Sequence, residues 1–308
     1  MPTTQPDVRV VQDLLARHFA HIHGLVPLNM GQTVLAYAFV AADQGYILRL
    51  SAASIIDRLR RERLIAEYFA SDSLPIPAIV AVGEYVGFEY GISVQAPGLA
   101  LESLSRSDVT PYIPAILAIS DAMCRADVSR TVGYGWLDDR AQGQFTTWAD
   151  SLREIIDEDP DDGFYGRWHG LFENGLLPRD LFQQGYQAML DLLPFCPEDR
   201  YLVHGNFRLS NLIGQHNQIT GVVEWTDALY GDFVFDVASL VLWYPELDFA
   251  SHFAAHIARQ GLSVPNLDQR LRCYQLYISL DALRFFAKQN HPQLLNWTQE
   301  RLLAILSA

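Results

Sequence analysis

The chain opens with apolar residues at Val8, Val10, Val11, Leu14 and Leu15, a spacing that predicts a short amphipathic helix over residues 8–18. The pattern then changes. Residues 33–42 (TVLAYAFVAA) and 46–50 (YILRL) are apolar and aromatic runs that predict two strands, with a hairpin turn at Asp43-Gln44-Gly45. Residues 54–70 are helical in pattern and rich in Arg, Glu, Leu and Ile. Leu74-Pro75-Ile76-Pro77 ends that segment, because proline disfavours helical geometry in the residue before it. Residues 78–86 and 89–95 predict two more strands joined around Gly87, and Pro97-Gly98 breaks the pattern after them. Beyond that point helical patterns dominate, at 111–126, 148–156, 180–193, 267–287 and 297–306, interrupted by β-like stretches at 201–203, 211–213 and 219–225. A strand-rich first third holding one helix, followed by a helix-rich remainder, predicts an α+β fold of two lobes. The boundary falls at Pro97-Gly98, with an N-lobe over residues 1–97 and a C-lobe over 98–308.

Composition narrows the class. Half of the 308 residues are hydrophobic and 12% are aromatic, which excludes disorder or a coiled coil as the main architecture. The balance of 22 basic against 36 acidic residues gives a net charge of −14, which disfavours nucleic acid and anionic membranes as partners. A cationic small molecule would suit an acidic cleft, although acidity for solubility is the simpler reading. Cys124, Cys196 and Cys273 are far apart, odd in number and form no CxxC pair, so a reducing compartment is expected and a disulfide framework or zinc ribbon is not. The N-terminal residues lack a basic-then-apolar secretory pattern, and no apolar run approaches the ~18 residues of a membrane span. A soluble, cytoplasmic protein is the expectation.

The chemistry concentrates in residues 201–245, YLVHGNFRLSNLIGQHNQITGVVEWTDALYGDFVFDVASLVLWYP. His204, Asn206 and Asn211 crowd between two short apolar strands, a position where loops carry function. A further apolar strand over 219–223 delivers Glu224 at its end. Such a loop–strand–turn–strand path brings two hard oxygen donors, Asn211 and Glu224, toward one point, and this suits magnesium with phosphate and water completing its shell. Phosphoryl-transfer kinases use a catalytic loop H-x-D-x-x-x-x-N. Residues 204–211, HGNFRLSN, keep that register with Asn206 at the Asp position, and Glu224 lies 18 positions beyond Asn206.

This segment resembles the aminoglycoside phosphotransferases of the protein-kinase-like superfamily, whose signature is H-G-D-x-x-x-x-N, then an I-D-W strand end and a G-D turn. FASDSLPIP and FTTWAD look similar as well, and the likeness runs from about Met30 to Pro245. The resemblance implies a two-lobed protein-kinase-like fold, with a small β-rich N-lobe and a larger helical C-lobe. The implied activity is ATP- and magnesium-dependent transfer of a phosphoryl group to a hydroxyl of a small, aminoglycoside-like molecule. It places His204, Asn206 and Arg208 in the catalytic loop, and Asn211 and Glu224 at the metal. Arg49 takes the place of the strand lysine that holds the nucleotide phosphates, and Glu62 that of its helix carboxylate. Ser93-Val94-Gln95-Ala96 resembles the inter-lobe hinge, where the backbone of Val94 and Ala96 would meet the adenine. Gly31 would lie in the nucleotide loop over residues 29–33. Gly231-Asp232 matches the G-D turn, and Asp236 falls where a helix-borne Asp braces the catalytic loop through backbone amides.

Two departures from the signature bear on activity. An amide at Asn206 can orient a hydroxyl but cannot take its proton. Positioned general bases are typically worth ~10²–10⁴ in rate, so a slowed enzyme is expected, and a nucleotide-binding pseudokinase is the alternative. Asp227 is a conceivable stand-in base. Glu224, a methylene longer than Asp, still offers a carboxylate. Other features have plain readings. His252 and His256 are four apart, but with no HExxH pattern a solvated helix face is expected rather than zinc. The acidic run Glu154, Asp157, Glu158, Asp159, Asp161 and Asp162 suits a cationic substrate or a charged loop equally well. Trp168, Trp243 and Tyr244 could stack on a sugar, with core packing as the default.

Overall fold

The computed structural model describes residues 7–28, 34–53, 55–160 and 164–307. Gly31, Asp161 and Asp162 lie outside these residues. Helix α1 (Val8–Ala16) begins at Asp7, whose carboxylate accepts the Arg9 amide. Strands β1 (His23–Leu28), β2 (Leu35–Ala41), β3 (Gln44–Ser51), β4 (Ile79–Tyr85) and β5 (Phe88–Val94) form an antiparallel sheet in the order β1-β2-β3-β5-β4, and α2 (Ile56–Phe69) is inserted between β3 and β4. Then come β6 (Leu99–Ala100), α3 (Arg106–Val109), α4 (Ile113–Cys124), β7 (Tyr134–Leu137) and β8 (Gly143–Phe145). After α5 (Trp148–Arg153), α6 (Gly170–Glu173) and α7 (Arg179–Leu192), the short β9 (Tyr201–Val203) leads into the motif. β10 (Leu212–Gln215), β11 (Gln218–Val222) and β12 (Leu229–Gly231) follow it, and α8 (Val234–Trp243), α9 (Phe249–Arg259), α10 (Leu267–Lys288) and α11 (Pro292–Ser307) complete the chain.

The fold is mixed α and β, sheet-rich in its N-terminal region and helical in its C-terminal region. It forms two compact units. The first holds the described residues through Ala115 together with Leu137–Ala141 and Leu209–Asp227; the second holds Ile116–Trp136, Gln142–Arg208 and the residues from Ala228 onward. In the first unit, Val11, Leu14 and Leu15 of α1 are buried with Phe39, Leu48, Leu50, Tyr90 and Ile92 of the five-stranded sheet. A second sheet, β11-β10-β6, belongs to the same unit, so residues 209–227 fold with the N-terminal strands despite their distance along the chain. In the second unit α10 packs against α7, α8 and α11, beside a sheet ordered β8-β7-β12-β9. Among the described residues no helix is long and apolar enough to cross a membrane.

The first hairpin turns earlier than its sequence suggests. Ala42 and Asp43 take left-handed conformations, and Gln44 already pairs with Ala41. Gly45 therefore lies in the strand: its carbonyl accepts the Gln95 amide at 2.9 Å, and a Cβ there would sit 2.7 Å from Gln95 Oε1. β11 stops at Val222, short of Trp225, which opens a 3₁₀ turn, and α11 starts at Pro292, five residues before the apolar pattern becomes clear.

Candidate active site

The residues assigned to nucleotide and metal fall in the first unit. Arg49 sits on β3 between Ala36 of β2 and Gly91 of β5, so its side chain leaves the middle of the sheet. Its guanidinium is forked onto Glu62 of α2: Nη1 donates to Oε1 at 3.1 Å and Nη2 donates to Oε2. Nη1 also donates to Glu224 Oε1 at 3.1 Å. Burial alone would lower the Arg49 guanidinium, but the Glu62 and Glu224 carboxylates outweigh it and hold Arg49 above its ordinary range. Burial pushes the Glu62 carboxyl up, against the pull of Arg49. One cation is thus shared by two carboxylates, and Asp227 adds a third negative charge within electrostatic reach of Glu62.

Asn211 and Glu224 come from neighbouring positions of one hairpin. Leu212 pairs with Val222, the Val223 amide donates to the Asn211 carbonyl at 3.0 Å, and Glu224 is the next residue. The hairpin is closed by His216 and Asn217, both left-handed. Glu224 is itself left-handed, at φ 63°, a conformation that costs a non-glycine residue roughly 1–2 kcal/mol. Asn211 is buried and the Glu224 side chain is one-third exposed. An amide oxygen and a partly open carboxylate, both hard donors, fit a magnesium ion that keeps several waters.

The segment expected to act as the hinge is held by β10 and β11. Gly221 of β11 meets Ala96 so closely that a Cβ at 221 would lie 2.4 Å from the Ala96 methyl. Thr220 Oγ1 donates to the Pro97 carbonyl at 2.5 Å, and a Cβ at Gly98 would strike the Gly214 carbonyl oxygen at 2.2 Å. The Val94 amide is committed to the Ala78 carbonyl at 2.9 Å, so any contact from Val94 to a purine falls to its carbonyl.

His204, Asn206 and Arg208, the residues expected in a catalytic loop, lie in the second unit. Asp236, in the first turn of α8, is fully buried and accepts the backbone amides of His204 at 2.7 Å and Gly205 at 3.1 Å. It braces the loop and does not cap its own helix. Burial pushes its carboxyl up to about 7, against the pull of those two amides. His204 is buried, and its Nδ1 accepts the Asn206 amide at 3.3 Å. The Arg208 guanidinium lies over Trp243, 3.7 Å from the ring centroid. Asp232 of the G-D turn is paired with Arg270 (Nε to Oδ2 at 2.8 Å, Nη2 to Oδ1 at 2.5 Å) and accepts the Tyr274 hydroxyl at 2.6 Å. Arg270 carries no motif and is visible only in three dimensions.

The remaining candidates separate. Asp227 ends the 3₁₀ turn after Glu224 and is within electrostatic reach of Arg61 on α2, which also donates to the Leu137 carbonyl at 2.6 Å. His252 is exposed, but His256 is half-buried rather than solvated, because its Nε2 pairs with Asp121 at 2.8 Å. Among the described residues no three His, Cys, Asp or Glu side chains cluster to hold a metal. Trp168 and Tyr244 are buried, Trp168 among Phe172 and Phe182, whereas Trp243 is half-buried. Glu158 accepts the His169 amide at 2.5 Å, which folds part of the acidic run back onto its own loop.

Known proteins resemble this chain in sequence and fold. Hygromycin-B 4-O-kinase of Escherichia coli is 29% identical over 300 residues, which span 96% of this chain and 84% of that protein. A thermostable mutant of aminoglycoside phosphotransferase APH(4)-Ia, solved in ternary complex with AMP-PNP and hygromycin B, superposes with a TM-score of 0.83 at 29% identity, covering 96% of this chain and 98% of that one. A putative fructosamine-3-kinase from Haemophilus somnus, 19% identical over 97% of each chain with a TM-score of 0.66, shares the fold. The model of the APH phosphotransferase enzyme family matches residues 24–274, more than half of the sequence, and the chain belongs to that family.

Proposed function

We propose that this protein is an ATP- and magnesium-dependent phosphotransferase acting on a hydroxyl of a small molecule, an aminoglycoside of the hygromycin B kind, with turnover slowed by Asn206. The observation that carries the reading is the assembled triad of Arg49, Glu62 and Glu224 beside Asn211. Glu62 and Glu224 orient the Arg49 guanidinium, whose N–H donors not taken by the two carboxylates suit phosphate oxygens. Asn211 and Glu224 would hold magnesium, which when bound neutralises charge on the transferring phosphoryl group. Val94 and Ala96 offer backbone to the adenine. Asn206 sits on a loop held by Asp236, where its amide oxygen can accept the hydrogen bond of a substrate hydroxyl. It cannot keep the proton, and the rate then rests on positioning and charge stabilisation, which dominate phosphoryl transfer. The net charge of −14 favours a cationic acceptor over nucleic acid.

Asn206 also supports a second reading, a pseudokinase that binds nucleotide without turnover. Comparing the natural chain with Asn206→Asp on a panel of aminoglycosides and sugars, by transfer of labelled γ-phosphate, separates the two. The substitution is expected to raise transfer by a factor on the order of 10² or more while leaving nucleotide affinity unchanged. If ATP with magnesium stabilises both proteins and neither phosphorylates any acceptor, the pseudokinase reading replaces the enzyme.

A further inference from the structure

Asp236 holds the start of the catalytic loop, and the same helix also holds its end. Trp243 is the last residue of α8, seven positions after Asp236, so the two side chains emerge from one helix face about 10 Å apart. Asp236 accepts the His204 and Gly205 amides, and Trp243 carries the Arg208 guanidinium on its ring at 3.7 Å. Asn206 and the fully buried Phe207 are the residues between the two attachments. Arg208 is also the residue at which the chain leaves the second unit.

Trp243 is backed in turn. The Trp297 ring of α11 stacks on it at 5.0 Å with an interplanar angle of 10°, and Phe286 of α10 meets it edge-on at 6.2 Å. A guanidinium and an indole at those distances cannot share one face, so Trp243 is sandwiched between Arg208 and Trp297. Trp is the best ring for a cation–π contact, and Arg the cation most often found there, so a guanidinium held over an indole at this distance is restrained in position.

We infer that Arg208, Trp243 and Trp297 form a second clamp on the loop, through which the C-terminal helix α11 sets the position of Asn206. Arg208 and Trp297 are then positioning residues. The inference deepens the phosphotransferase reading, and its kinetic consequence rests on that reading; its structural consequence does not.

Hydrogen exchange read by mass spectrometry on the full chain tests the clamp without any need for turnover. Trp297→Ala is expected to speed exchange of the 204–208 amides by about tenfold or more, with no change in β2 to β5. Trp297→Phe keeps a stacking ring and is expected to stay near the natural chain. Arg208→Lys keeps the charge but loses the plane, and is expected to behave like Trp297→Ala. In an Asn206→Asp background, Trp297→Ala should lower kcat on the order of tenfold while KM for ATP stays within about twofold, the signature of a displaced loop with an intact nucleotide site. Unchanged exchange at 204–208 in Arg208→Lys, which decides alone if Trp297→Ala does not fold, overturns the inference, as does a Trp297→Phe as perturbed as Trp297→Ala. If exchange responds as expected but no version transfers phosphate, the phosphotransferase reading fails and the clamp stands.

Discussion

Asp232 and Asp236 lie four residues apart, both buried, and show how partners decide what a carboxylate does. Asp232 faces the forked Arg270 guanidinium, the Tyr274 hydroxyl and the Val234 amide, and serves as a structural anion. Asp236 has two backbone amides, and burial pushes its carboxyl up to about 7. Between the ordinary carboxylate range near 4 and about 7, the folded chain holds a proton that the unfolded chain has released, so stability falls as pH rises through that window. Melting temperatures from pH 4.5 to 8 are expected to show this fall, and Asp236→Asn should flatten it. An identical slope in the variant would assign the effect elsewhere. Asn206, by contrast, needed no partner analysis to be noticed: its place in the H-x-D-x-x-x-x-N register is a matter of spacing alone, as is the candidacy of Asn211 and Glu224.

At the level of elements, helix starts show where sequence reading stops. α1 and α5 carry their own signals, since Asp7 accepts the Arg9 amide and Thr147 accepts the Asp150 amide. α2 has no side-chain cap of its own; Glu89, from β5, accepts the Ile55 and Ile56 amides at 2.5 Å. Glu198 likewise reaches α5 across 50 residues, accepting the Trp148 amide at 2.6 Å. Caps delivered from distant segments leave no local pattern. The same holds for Gly231, which reads as a turn residue but pairs with Tyr201 in β12, and Trp148 occupies the space a side chain would need. A Cβ there would come within 2.6 Å of the indole. Gly231→Ala is expected to destabilise the fold by about 1–3 kcal/mol through overpacking, measured by urea denaturation. A change below a few tenths of a kcal/mol would show that Trp148 moves aside freely.

Across the whole molecule, the residues proposed for nucleotide and for catalysis fall in two units that do not follow chain order. Arg49, Glu62, Val94, Ala96, Asn211 and Glu224 belong to the first unit, whereas His204, Asn206 and Arg208 belong to the second. Nucleotide with magnesium is therefore expected to slow hydrogen exchange in residues 44–51, 56–69, 88–98 and 211–224, and to raise the melting temperature by mass action. Protection confined to the second unit would contradict the assignment of the nucleotide residues. The α+β class, most strands and helices, and the motif register were all readable from the chain, because periodicity, turn chemistry and fixed spacings are local properties. Pairings over long separations were not. That Arg49, whose partner Glu62 the resemblance already implied, also reaches Glu224, 175 residues away, that Gly45 pairs with Gln95 instead of making the turn, and that Trp297 backs the ring under Arg208 follow from packing, which brings distant groups together through excluded volume and buried charge and leaves no periodic trace along the sequence.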